Sequence, residues 1–247
     1  MSIDVKKLKL NVAEDLGPRE NAKLTVGFLH GIAADASSFW KTIAAIHGEE
    51  KFSEVRLVSF DLLGAGESLS SGELEYNYEE QLAALSNSLS DLGISGPLVL
   101  VGHSMGTLIA TRFAAKNPGM VRELILVSPP IYTPEDIKNP LFEKAMAGFR
   151  AVVAGKNPEV AETKAFNNEI SNIVSDPENY RYLAETKVPT SLIYGDADEI
   201  IASFNLPKVL KANPRIRAIR TIGTHGISSV KIAEIKRELE RILSEVI

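Results

Sequence analysis

Six short apolar runs set the architecture open to this chain. They are Leu24–Leu29 (LTVGFL), Val55–Phe60 (VRLVSF), Leu98–Val101 (LVLV), Leu124–Val127 (LILV), Ser191–Tyr194 (SLIY) and Ile216–Ile222 (IRAIRTI). Runs this short, with little polar alternation, suit strands covered on both faces, as in a parallel sheet. Ahead of them Leu8, Leu10 and Val12 alternate with polar residues, which predicts a half-exposed edge strand. Between the runs lie helical patterns. Tyr78–Leu92 spaces Leu82, Leu85, Leu89 and Leu92 by three and four, and Met105–Ala115 follows a Gly-rich turn. Val230–Val246 gathers Ile232, Ile235, Leu239, Ile242, Leu243 and Val246 on one side, leaving Lys231, Glu234, Lys236, Glu238 and Arg241 as a solvated face. Strand–helix alternation predicts an α/β fold: a mostly parallel sheet flanked by helices.

One stretch breaks the alternation. Between Thr133 and Lys187 no strand pattern appears, but Asn139-Pro140, Asn157-Pro158 and Asp176-Pro177 each put a capping residue before a proline. That pairing marks helix starts. The expected organisation is therefore an α/β core of residues 1–132 and 188–247, with residues 133–187 inserted as a helical cap of three helices over the sheet edge.

Composition narrows the function. The chain of 247 residues can bury a sizeable core without staples. It has no Cys, which removes thiolate nucleophiles, disulfides and Cys-based metal sites together. A net charge of −5 with interleaved signs argues against nucleic acid as the principal partner. Leu92–Thr111 carries no formal charge over 20 residues, long enough to span a bilayer. Its Gly93, Gly96, Pro97, Gly102 and Gly106 instead favour a buried strand, a turn and a helix start. The start of the chain lacks the apolar run of a signal peptide, so the expected compartment is the cytoplasm.

The strongest chemical signal is Gly102-His103-Ser104-Met105-Gly106, a G-x-S-x-G pentapeptide with an apolar strand before it and a helix after it. A sharp strand-to-helix turn would lift the Ser104 oxygen above the sheet, at a helix N-terminus that favours developing negative charge. A serine hydroxyl needs a base, and the base needs an orienting acid. Of four histidines, His103 should point away from its neighbour, and His47 lies in a helical stretch where exposure is expected. His225 falls in a loop between the last strand and the last helix, where such sheets present functional groups, so it is the expected base. The acid should come between Ser and His in the chain. The turn Gly195-Asp196-Ala197-Asp198-Glu199 offers three carboxylates.

With these residues the chain resembles the α/β-hydrolases, from Leu24 to Val246: an oxyanion loop, a nucleophile turn, a helical cap, an acid turn and a histidine. In that family a G-x-x-D turn carries the acid. The resemblance thus selects Asp198 over Asp196. His30-Gly31-Ile32 resembles the family's H-G-x loop, which implies the N–H groups of Ile32 and Met105 as oxyanion donors, with His30 structural and Trp40 in the core. Asp61-Leu62-Leu63-Gly64-Ala65-Gly66-Glu67-Ser68 resembles the D-x-x-G-x-G-x-S segment that shapes the pocket wall, with Ala65 where many members have His. The resemblance implies a serine hydrolase with a catalytic triad of Ser104, Asp198 and His225, needing no cofactor or metal. Leu141, Phe142, Met146, Phe149, Val152, Val153, Phe166, Ile170 and Ile173 of the cap imply an apolar enclosed pocket. The expected activity is that of a carboxylesterase on small to medium apolar esters. Related alternatives are a carbon–carbon bond hydrolase or a perhydrolase on the same triad, or, from another class, a ligand-sensing or signalling protein.

Overall fold

The computed structural model describes residues 4–68, 70–198 and 205–246. Its strands are β1 (Asn11–Leu16), β2 (Leu24–Leu29), β3 (Val55–Asp61), β4 (Leu98–His103), β5 (Val121–Val127), β6 (Thr190–Gly195) and β7 (Ile216–Thr221). Its helices are α1 (Trp40–His47), α2 (Tyr78–Asp91), α3 (Met105–Lys116), α4 (Pro134–Lys138), α5 (Pro140–Lys156), α6 (Pro158–Glu162), α7 (Lys164–Glu169), α8 (Asn179–Glu185), α9 (Leu206–Ala212) and α10 (Ser229–Ser244).

The strands form one sheet in the order β1-β3-β2-β4-β5-β6-β7. Among the described strands only β1 runs antiparallel, against β3. The other neighbours are parallel. The period of two in each strand divides the core between the faces. Val99, Val101, Ile125 and Val127 pack with Ile43 and Ile46 of α1 and Ile235, Leu239 and Ile242 of α10. Leu98, Leu100, Leu124 and Leu126 pack on the opposite side with Leu85 and Leu89 of α2 and Ile109 and Phe113 of α3. Each fully buried Leu or Val is worth about 1.5–3 kcal/mol. The chain leaves β2 towards one edge and returns at β4 towards the other, so β2 and β4 flank a point where strand order reverses. In open α/β sheets ligands bind outside the carboxyl ends of strands at such a point.

The sheet and its flanking helices appear as the apolar runs predict, with differences at the periphery. Leu8 and Leu10 are buried ahead of β1, where the Leu10 N–H donates to Ser88 Oγ at 2.8 Å, and the strand starts only at Asn11. β7 closes the sheet at its edge, so Arg217, Ala218 and Arg220 are not covered as a central strand would be. Trp40 is 58% exposed at the start of α1 and is not a core residue.

Residues 133–187 contain helices and no strand, but five helices rather than three, plus a π-helical turn at Ile170–Val174. Asn139 caps α5 and Asn157 caps α6, each followed by proline. The Asp176 carboxylate closes only a turn with the Glu178 N–H, and α8 begins at Asn179. The additional starts use threonine. Thr133 forms a capping box with Asp136 at α4, and Thr163 caps α7. Leu141 and Val152 are exposed and face away from the core.

Candidate active site

Ser104 stands between β4 and α3 with φ 50° and ψ −121°, a conformation costly for a residue with a side chain. Two glycines allow it. A Cβ on Gly102 would lie 2.6 Å from the Gly106 carbonyl oxygen. A Cβ on Gly106 would lie 2.1 Å from the Leu29 carbonyl oxygen. The Ser104 N–H donates to the Val127 carbonyl at 2.9 Å, and Thr107 Oγ1 donates to the Ser104 carbonyl at 2.6 Å, so the turn is held from both sides. The serine is therefore fixed at the N-terminus of α3, beside the reversal point of the sheet.

The loop after β2 packs directly on this turn: a Cβ on Gly31 would lie 3.0 Å from Ser104 Cβ. His30 anchors the loop. Its Nδ1 lies 2.7 Å from the Gly31 carbonyl, and its Nε2 accepts from the Leu62 N–H at 2.9 Å. That pairing fixes the neutral tautomer with the proton on Nδ1, and burial pushes the His30 pKa down. The N–H groups of Ile32 and Met105 reach no acceptor among the described residues. Ile32 and Ser104 line the same cavity of about 20 Å³, walled by Tyr132, Met146, Phe149, Ile170 and Val174. A larger cavity of about 560 Å³ lies far along the chain's fold, near Pro118, Tyr182 and Pro189, and touches none of these residues.

The acid turn resolves clearly. His225 Nδ1 lies 3.0 Å from Asp198 Oδ1 and 3.1 Å from Oδ2, with the Asp198 side chain fully buried. Asp196 is exposed and serves the backbone instead, accepting from the Gly223 N–H at 3.1 Å. Glu199 lies outside the described residues. Gly195 lets the acid turn meet the histidine loop, since a Cβ there would lie 2.2 Å from the Gly223 carbonyl oxygen. His103 Nε2 lies 3.0 Å from the His225 carbonyl, and the two rings are 5.1 Å apart. Burial first, then the nearby His225, pushes the His103 pKa down to about 3, so His103 is neutral packing.

The residue that the helical pattern misassigns is Lys231. It is 0% exposed rather than part of a solvated face. Its Nζ donates to Ser128 Oγ at 2.8 Å and to the carbonyls of Thr224, His225 and Gly226 at 2.6, 3.1 and 3.1 Å. One ammonium thus ties three consecutive peptide units around His225 to the end of β5. Glu238, also buried, accepts from Ser191 Oγ at 2.8 Å and Arg241 Nε at 3.0 Å. The charges of α10 do not reveal these roles, because Lys231 finds its acceptors in the loop that precedes the helix and Glu238 finds Ser191 on β6.

The segment from Asp61 to Ser68 is a wall, held from within. The Asp61 carboxylate accepts from the Ala36 and Glu67 N–H groups at 2.9 and 3.0 Å and from Asn11 Nδ2 at 2.9 Å. Burial raises its pKa, but these donors outweigh burial and hold it below the usual range.

A family model described as alpha/beta hydrolase fold matches residues 25–169, more than half of the chain. Lipase 1 of Psychrobacter immobilis is 26% identical over 88% of this chain and 76% of its own length. Probable lysophospholipase BODYGUARD 2 of Arabidopsis thaliana is 31% identical over 47% of this chain, which spans about a quarter (25%) of that protein. Among solved structures, the esterase EaEST from Exiguobacterium antarcticum superposes with a TM-score of 0.73 at 17% identity, covering 96% of each chain. A bromoperoxidase from Bacillus anthracis superposes with a TM-score of 0.71 at 17% identity, covering 98% of each chain. The two solved structures share the fold, and the sequence match carries the relationship: the chain belongs to the alpha/beta hydrolase fold family.

Proposed function

We propose that the protein is a serine hydrolase, a carboxylesterase cleaving small to medium apolar esters, with Ser104, His225 and Asp198 as its triad. The observation that carries this reading is the Asp198–His225 pair, 3.0 Å apart and attached through the His225 carbonyl to the residue preceding a strained Ser104. The expected organisation, a core of residues 1–132 and 188–247 with a cap of residues 133–187, belongs to the same proposal. So do the names of the relatives, lipase and probable lysophospholipase, which concern ester bonds.

The reaction follows from the roles. Ser104 Oγ attacks the acyl carbon while His225 takes its proton. The N–H groups of Ile32 and Met105 hold the oxyanion, where one donor is worth about 2.7–4 kcal/mol. His225 then gives the proton to the leaving alcohol, and Asp198 stabilises the imidazolium. Water, deprotonated by His225, releases the acid and restores Ser104. The wall of Ile32, Met146, Phe149, Ile170 and Val174 carries no charged side chain, which favours an apolar acyl group over an acidic ring-cleavage product. At about 20 Å³ the cavity holds little more than one water.

The test is a fluorophosphonate probe together with short-chain nitrophenyl esters. Labelling and multiple turnover in the native protein, both lost in Ser104→Ala, are the expected result. A folded protein that neither labels nor turns over would sink the proposal.

A further inference from the structure

A second cavity, of about 170 Å³, is lined by residues next in the chain to two that line the one at Ser104. The two follow one another along the same two segments. Ile32 and Ile170 face the Ser104 cavity, while the neighbouring Ala33 and Glu169 face the second one. Its volume is several times the ~30 Å³ that a water occupies in the liquid.

Glu169 sets its chemistry. The residue is 5% exposed and no donor among the described residues reaches its carboxyl. Burial alone pushes its pKa up to about 8. Among the other polar groups of the lining, several atoms are engaged, while Asp35 Oδ2 meets no donor among the described residues. Both ring nitrogens of His30 are committed to the backbone. Asp35 accepts from the Ser37 N–H, Asn157 Oδ1 from the Val160 N–H, and Thr163 Oγ1 from the Phe166 N–H. Among the described residues the lining contains two carboxyls, Asp35 and Glu169, and no Lys or Arg. A largely buried carboxyl that no protein donor reaches is left to solvent or to a ligand for its hydrogen bonds. A divalent cation fits the donor set poorly, because no group of three or more His, Asp or Glu side chains among the described residues converges to hold a metal.

We propose that this cavity is a substrate subsite for a protonated amine, bound by Glu169 with Asp35 in support, so that the preferred ester carries an ammonium group beyond its acyl or alcohol carbons. The assignment rests on the hydrolase reading for its link to Ser104, but the amine site itself does not. Binding is a plain ion pair: an ammonium N–H donates to the Glu169 carboxylate, which gives up its proton to solvent when it is neutral beforehand.

The experiment compares two esters of equal length, one ending in a primary amine and one in a methyl group, with butylammonium and butan-1-ol as isolated probes. The native protein should favour the amine ester in kcat/KM by about tenfold, as a charge-assisted hydrogen bond allows. The ratio should fall towards one in Glu169→Gln. Equal kcat/KM for the two esters, or a preference that survives Glu169→Gln, would overturn the proposal. Hydrolysis of neither ester would count against the hydrolase reading, and the probes then decide the cavity. Calorimetry on Ser104→Ala should detect saturable binding of butylammonium and none of butan-1-ol; no amine binding, or equal binding of both, refutes the subsite. This arm needs no substitution at Glu169 and stands even if Glu169→Gln fails to fold.

Discussion

Asp198 holds both carboxylate oxygens within 3.1 Å of His225 Nδ1, while Asp196, two residues earlier, holds the backbone of Gly223 instead. The two acids of one turn therefore have separable effects. Asp198→Asn should lower kcat by about 10²–10⁴-fold, because an amide favours the wrong histidine tautomer. Asp196→Asn should stay within a few-fold of the native rate. Steady-state kinetics on a nitrophenyl ester decides, and the reverse ranking would move the orienting acid to Asp196.

Lys231 predicts a defect that distance along the sequence does not suggest. Lys231→Met keeps the apolar stem but leaves the carbonyls of residues 224–226 without their shared donor. Stability should drop by about 2 kcal/mol or more, since unsatisfied buried polar groups cost about 1–3 kcal/mol each. Turnover should fall more than KM rises, as the loop carrying His225 loosens. Urea denaturation and the split between kcat and KM measure the two effects. A variant with native stability and kcat would remove Lys231 from this role.

Glycine substitutions provide a matched pair. Gly106→Ala drives a methyl into the Leu29 and His30 carbonyls, at 2.1 and 2.6 Å, and backbone cannot yield as a side chain can. The expected loss is about 3 kcal/mol or more. Gly148→Ala, in the exposed middle of α5 with nothing within 4 Å, should stabilise by about 0.5–1 kcal/mol. Thermal melts of both variants test the contrast.

Glu169 should impress a pH dependence on stability. Its folded-state pKa, about 8, lies above the ordinary 4.5, so the folded form binds the extra proton. The contribution is fully present below pH 4.5 and is lost as pH rises through 8, by up to about 1.4 kcal/mol per unit. Native protein should therefore lose more stability than Glu169→Gln between pH 5 and pH 9. Parallel slopes in denaturation across that range would show the carboxyl is already ionised in the fold.

The sheet was legible in the chain itself, because five of its six apolar runs are satisfied by burial on both faces, the run at edge strand β7 being the exception. The strand-to-helix turn at Ser104 was legible as well, because glycines on both sides of a serine between a strand and a helix leave few other geometries. The asparagine-proline starts of α5 and α6 were equally legible, being local hydrogen-bond chemistry. Tertiary structure alone decided the remainder. Which acid faces His225 depends on how the turn after β6 meets the loop after β7, a contact between segments about 27 residues apart. Lys231 lies within about 40° of Ile235 and Ile242 on the helix, but its charge reads as surface, and only the loop folded over the first turn of α10 supplies the acceptors that let it be buried. Glu169 reads as one more polar residue of a short helix, and only tertiary packing makes it a buried carboxyl lining a cavity. Local propensity and periodicity are written along the chain, whereas burial of a charge is a property of what arrives from elsewhere in it.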